Sequence, residues 1–243
     1  MSPINNPKWK RQIGRSVLLS LPPEFIGTLL YSFIAGCITV TSLTASRGGL
    51  KLANALTVAM LDGFMYYALV YLTMKLSFQT SGYLNPAFSF GICIANLYSN
   101  WSLWHIGRTL AFWVVQVGGA LLGVLAVSGV LPTDAAVAKL NIGVSALSAF
   151  GLSAVMGTFL TFTILAVRNN EGRMSSIILC FAFIAVRLLA FLAYNGTLNC
   201  ARALAHAVIA GEWTYVWIDF AGSFLGATIG ALCFLLWVKK WRE

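Results

Sequence analysis

Six apolar runs, roughly 18–42, 52–74, 107–130, 146–167, 175–194 and 213–238, occupy most of this 243-residue chain. A helix needs about 20 apolar residues to cross the hydrocarbon core of a bilayer, so the chain has room for about six spanning helices and little else. Only 9% of its residues are charged, where a soluble domain carries roughly a quarter. The fold class is therefore an all-α integral membrane protein. Residues 1–15 are polar and basic and the run after them is too long for a cleavable leader, so no signal peptide is expected.

The net charge of +9 raises the question of a nucleic-acid partner, and its placement argues against one. With the N-terminus cytoplasmic, eleven basic residues fall on the inner side (Lys8, Lys10, Arg11, Arg15, Lys75, Arg108, Arg168, Arg173, Lys239, Lys240 and Arg242), and Arg47, Lys51 and Lys139 fall outside. That asymmetry is what the positive-inside rule expects, with both termini cytoplasmic. The segment before Pro22 and Pro23 reads as a basic stretch on the interface with Trp9 at headgroup depth. The two prolines read as the opening of the first long helix, where a missing N–H costs nothing. Cys37, Cys93, Cys180, Cys200 and Cys233 show no metal spacing, so no metal or cofactor is expected. No enzyme constellation appears among two histidines and seven scattered acids.

Two further segments are apolar but too short to cross: "LNPAFSFGICIANLY" between runs two and three, and "LNCARALAHAVIAG" between runs five and six. Short, interrupted apolar segments in corresponding halves are the signature of a pore or substrate site built from re-entrant half-helices. The halves do correspond. "GTLLYSF" from Gly27 pairs with "GTFLTFT" from Gly157, "LNPAFSF" at 84–90 with "LNCARAL" at 198–204, and "QVGGALLG" at 116–123 with "SFLGATIG" at 223–230. The three pairs keep their order, about 107 to 130 residues apart, which marks an internal repeat. Each half holds three spanning helices, an odd number, so the second repeat is inverted in the membrane. The expected organisation is a basic segment at 1–17, a first repeat at 18–130 with a half-helix at 85–95, and a connecting loop at 131–145. A second repeat at 146–238, with a half-helix at 199–209, and a tail at 239–243 complete it.

Asn is a strong helix N-cap, and Pro fits the next position. Asn85, Pro86 and Ala87 thus start a half-helix whose unpaired N–H groups and positive dipole end point at the bilayer centre. Asn199, Cys200 and Ala201 repeat this from the other side. Two such ends meeting tip to tip make a donor-rich constriction that orients water by its oxygen and opposes cations.

Two N-x-A half-helices in an inverted repeat resemble the aquaporin, or major intrinsic protein, family. "PEFIGT", "SGYLNPAFSFG", "QVGGA" and an Arg three places after the second Asn add to the likeness, which covers nearly the whole chain. The resemblance implies six transmembrane helices, a homotetramer, and in each protomer a pore for water or small uncharged solutes such as glycerol. It places Asn85 and Asn199 at the pore centre and makes Glu24 a buried brace of a re-entrant loop. Arg202, Gly196, Arg187 and Asp62 take the selectivity filter, Asp62 through the anchor Gly63; a gapless count would put Met65 there instead.

The chain departs from the family pattern at several positions. Cys200 and His206 replace prolines, as does Ser223, and Ala154 stands where a second buried Glu is expected. Arg187 occupies a place usually given to His or a small residue. Asp62 and Arg187 read either as parts of an unusual filter or as an ion pair that plugs the pore. The sequence therefore points to a passive channel, with an occluded, scaffold-type membrane protein as the alternative and an anion-permeable pore third.

Overall fold

The computed structural model describes residues 7–45, 52–77, 81–99, 101–131, 137–168 and 173–240, the side chains of 7–17, 168, 173–176 and 238–240 excepted. Eight helices form among the described residues: α1 (Pro7–Ala45), α2 (Leu52–Leu76), α3 (Pro86–Ser99), α4 (Leu103–Ser128), α5 (Ala146–Arg168), α6 (Arg173–Tyr194), α7 (Cys200–Ala210) and α8 (Val216–Lys240). Six of them, all but α3 and α7, are long and apolar enough to span a bilayer. At 1.5 Å per residue, the 14 residues of α3 and 11 of α7 reach about 21 and 17 Å, well short of a ~30 Å core.

The helix pairings repeat. α1 packs on α4 as α5 packs on α8, α3 lies against α8 as α7 lies against α4, and α2 meets α6 where the repeats join. Alternating spans place the loop carrying α3 on the face where α2 ends, and the loop carrying α7 on the face where α6 ends. The two half-helices therefore enter from opposite faces. Close backbone approach makes these pairings possible. A Cβ on Gly119 or Gly123 of α4 would press into the carbonyls of Phe25 and Leu29 on α1, and a Cβ on Gly226 or Gly230 of α8 into those of Ala154 and Thr158 on α5. Small residues at four-residue spacing let apolar helices pack in lipid, where no hydrophobic force drives them together.

Several boundaries differ from the sequence reading. Pro22 and Pro23 do not open α1; they lie inside a 39-residue helix that starts at Pro7. The carbonyls their missing N–H groups release are those of Leu18 and Leu19, both exposed residues, so the loss falls on the outer surface of the bundle. α3 runs four residues past the expected 95, and α4 starts at Leu103 because Ser102 caps it, its side chain accepting from Trp104 N. Asn85 and Asn199 precede their half-helices as caps, so α7 is Cys200–Ala210. The interfacial placement of Trp9, and the outer positions of Arg47 and Lys51, lie outside the described residues.

Gly226→Leu is expected to abolish monodisperse protein in detergent, since overpacking of this kind costs at least about 1–3 kcal/mol. Gly107→Leu, where a Cβ meets nothing within 4 Å, should behave as wild type. Equal recovery of the two variants on size-exclusion chromatography would contradict this packing.

Candidate functional site

The half-helices meet at their N-terminal ends through a reciprocal exchange. Asn85 Nδ2 donates to the carbonyl of Leu198 at 2.9 Å, and Asn199 Nδ2 donates to the carbonyl of Leu84 at 2.6 Å. Each side-chain oxygen faces its own helix. Asn85 Oδ1 accepts from Ala87 N at 3.1 Å, and Asn199 Oδ1 accepts from Ala201 N at 3.0 Å and Arg202 N at 3.3 Å. Each amide nitrogen carries two hydrogens, and the exchange uses one of them. Cys200, where the first motif has Pro86, supplies a backbone N–H that reaches Asn85 Oδ1 at 3.4 Å. Its thiol turns toward the carbonyls of Asp219 and Phe220 on α8 at 3.7 and 3.9 Å, so the side chain fills the α7–α8 contact.

The exchange requires carbonyls that point across the junction. Leu84 and Leu198 adopt φ of 52° and 53°, a left-handed conformation that costs a non-glycine residue on the order of 1–3 kcal/mol unless its surroundings enforce it. Buried carboxylates enforce it on both sides. Glu24 Oε1 accepts from Gly82 N and Tyr83 N at 2.6 and 2.7 Å, and its Oε2 accepts from Leu84 N at 3.0 Å and Gln116 Nε2 at 2.9 Å. In the second repeat the corresponding position is Ala154, and the carboxylate comes from Asp219 in the first turn of α8. Asp219 Oδ2 accepts from Thr197 N at 2.7 Å, and its Oδ1 accepts from Leu198 N at 3.2 Å and Tyr194 Oη at 2.9 Å. Sequence reasoning assigned Asp219 no function. The signal was there: only Glu24, Asp62 and Asp219 of the seven acids fall within the apolar spans, and intramembrane acids are rare without a task.

The four expected filter residues come together toward the C-terminal end of α6. Arg187 Nε donates to Asp62 Oδ2 at 2.6 Å, Nη1 to the Gly196 carbonyl at 2.5 Å, and Nη2 to Thr39 Oγ1 at 3.3 Å. Arg202 Nη1 donates to Tyr31 Oη at 3.1 Å and lies 3.6 Å from the same Asp62 oxygen. Asp62 thus stands between two guanidinium groups. Asp62, Arg187 and Arg202 are buried, at most 1% exposed. Gly196 has no room for a side chain, because a Cβ there would enter the Tyr194 ring. His206, one turn beyond Arg202 on α7, is 1% exposed with both ring nitrogens unpartnered. Among the described residues no cluster of His, Cys, Asp or Glu is placed to hold a metal.

The sequence profile described as Major intrinsic protein matches residues 15–234. The chain belongs to the major intrinsic protein family. Its members are channels rather than enzymes, and this one is a multi-pass integral membrane protein. Over 228 residues it is 31% identical to aquaporin PIP1-1 of Arabidopsis thaliana, covering 86% of this chain and 75% of that one. Over 221 residues it is 28% identical to probable aquaporin TIP2-2 of Oryza sativa subsp. japonica, covering 87% and 84%. The aquaglyceroporin of Plasmodium falciparum superposes with a TM-score of 0.74 at 19% identity, over 90% of this chain and 95% of that one, which is agreement of fold.

The charge cluster of this major intrinsic protein makes an asymmetric prediction. Asp62→Ala strands two buried guanidinium groups, whereas Arg187→Ala leaves the carboxylate facing Arg202. Breaking a buried pair costs about 3–5 kcal/mol, so Asp62→Ala should lower the unfolding midpoint in detergent more than Arg187→Ala does. The reverse order would contradict the arrangement. Asp219→Ala should be destabilised on the order of 3 kcal/mol through the donors it orphans, comparably to Glu24→Ala; an unchanged midpoint would remove Asp219 from the brace.

Proposed function

We propose that this protein is a passive channel for water and small uncharged solutes, built as a homotetramer with one conduit per protomer and both termini in the cytoplasm. The observation that carries the reading is the crosswise asparagine pair. Two cap side chains at the meeting point of two half-helices each keep an amide hydrogen for a passing oxygen, and the positive helix ends around them oppose cations. Paired caps of this kind at membrane depth are a liability without a conduit to serve. The division into repeats at 18–130 and 146–238 gives that conduit its inverted symmetry.

In this reading Asp62, Arg187, Gly196 and Arg202 form the outer filter. Its three charged side chains leave one net positive charge, which disfavours cations. The Asp62–Arg187 bond crosses the mouth, so passage requires that bond to lengthen or swing. The burial of this cluster makes the occluded reading the competitor: the same scaffold with a mouth that stays shut.

The two differ in osmotic behaviour. Purified protein in liposomes should shrink several-fold faster than empty vesicles after an osmotic step, with low activation energy, in stopped-flow light scattering. Asn199→Asp, which places a carboxylate at the centre and removes a donor, should lower that rate at least tenfold. Shrinkage no faster than empty vesicles, for water and for glycerol alike, would support the occluded scaffold.

A further inference from the structure

From the filter arginine to the first turn of α3 runs a contact series of four aromatic side chains, from four different helices, that the sequence reading did not single out. Tyr66 of α2 and Phe183 of α6 stack with ring centroids 4.3 Å apart and planes 12° from parallel. Tyr31 of α1 meets both edge-on, at 5.1 Å from Tyr66 and 6.4 Å from Phe183. Phe88 of α3 meets Tyr66 edge-on at 6.5 Å. None of the four is more than 1% exposed.

Two observations separate this cluster from ordinary helix packing. The first is what it touches along the axis. The Arg202 guanidinium carbon lies 4.8 Å from the Tyr31 ring centroid, so the cluster begins directly beneath the filter. At its other end Phe88 follows Asn85 by three residues, and Tyr66 Oη donates to the Tyr83 carbonyl at 2.9 Å, in the loop that leads to Asn85. The second is which helices it joins. α1 packs on α2 and α2 on α6, but α1 with α6 and α2 with α3 make no extended contact among the described residues. The Tyr31–Phe183 and Tyr66–Phe88 contacts therefore bridge helices whose backbones stand apart, filling the space between them on either side of the asparagine level.

We infer that Tyr31, Tyr66, Phe88 and Phe183 form a second closure in series with the ionic one, an aromatic layer that excludes even water-sized solutes until a ring turns and that limits the size of what passes. The inference rests on the channel reading above. The layer works by volume: stacked and edge-to-face rings attract one another beyond their burial, so a ring has to leave the stack before a solute can pass. The two tyrosine hydroxyls bind the layer to its neighbours above and below, Tyr31 through Arg202 and Tyr66 through the Tyr83 carbonyl. Movement at the filter and movement of the loop before Asn85 are thus coupled to the rings.

The test uses four proteins in liposomes: wild type, a filter variant (Asp62→Ala with Arg187→Ala), a ring variant (Tyr66→Leu with Phe183→Val), and the combination. Osmotic water permeability per protein is the readout, with unfolding midpoints recorded to show that each is folded. Tyr66→Leu alone replaces the ring pair if the double change does not fold. Two closures in series predict that the combined variant conducts at least about tenfold faster than the filter variant. A filter variant as fast as the combination would overturn the aromatic closure and leave the channel reading standing, as would a wild type that already conducts at the combined rate. If the folded combination conducts no faster than empty vesicles, the channel reading itself fails and takes the closure with it. A core role alone would show as lowered midpoints with unchanged permeability ratios, which also overturns the inference.

Discussion

Two hydrogen bonds, Asn85 Nδ2 to the Leu198 carbonyl and Asn199 Nδ2 to the Leu84 carbonyl, join the halves of this protein at their shared centre. Everything around them follows from the cost of irregular backbone inside a membrane. Each re-entrant loop brings unpaired N–H and C=O groups to a depth where every unsatisfied group costs several kcal/mol. The asparagines settle these groups in pairs, taking the helix-end N–H groups on one atom and the opposite loop's carbonyl on another. The half-helices then need no water to be stable at the midplane, and one hydrogen on each amide stays available.

The loops have to be held in a left-handed turn for this to work, and the two repeats hold them differently. Glu24 reaches the first loop from α1, beside its helix partner Gln116. Ala154, at the matching place on α5, has nothing to offer, and Asp219 reaches the second loop from α8 with the help of Tyr194. The shorter acid is supplied from the adjacent helix, and the Tyr194 ring occupies the space beside Gly196. The second loop is thereby tied to α8 and the C-terminal end of α6, the region that also carries Arg187. An inverted repeat can thus keep its backbone symmetry while the side chains that support it change address.

Much of this was legible in the sequence because it is written in patterns. The six spans, the repeat and both half-helices with Asn85 and Asn199 at their tips follow from apolar run length, cap chemistry and matched segments, while Glu24 and Arg202 were placed by the resemblance to the family. The approach of Asp62 and Arg187 was expected from the sequence, and the two form an ion pair. Asp219 was legible only as an intramembrane acid; which loop it braces depends on which helix stands next to that loop, and a first-turn aspartate has an ordinary explanation at the start of any helix. The ring layer was hidden for a plainer reason. Tyr31, Tyr66, Phe88 and Phe183 sit in apolar spans where an aromatic signals burial, and only packing decides whether it is buried in the wall or across the conduit. Pro22 and Pro23 misled because proline marks helix starts far more often than the interior of a long helix, where these two lie.

The central claim is that α3 and α7 enter from opposite faces and meet at the asparagines. Single cysteines at the outer ends of the two half-helices test it directly. Ser99→Cys and Glu212→Cys, both at exposed positions, would be placed in a background with Cys233 replaced by Ser. Labelling in sealed, oriented vesicles with a membrane-impermeant maleimide should reach Ser99→Cys from one face only and Glu212→Cys from the other only. Labelling of both from the same face would contradict the inverted arrangement and the account built on it.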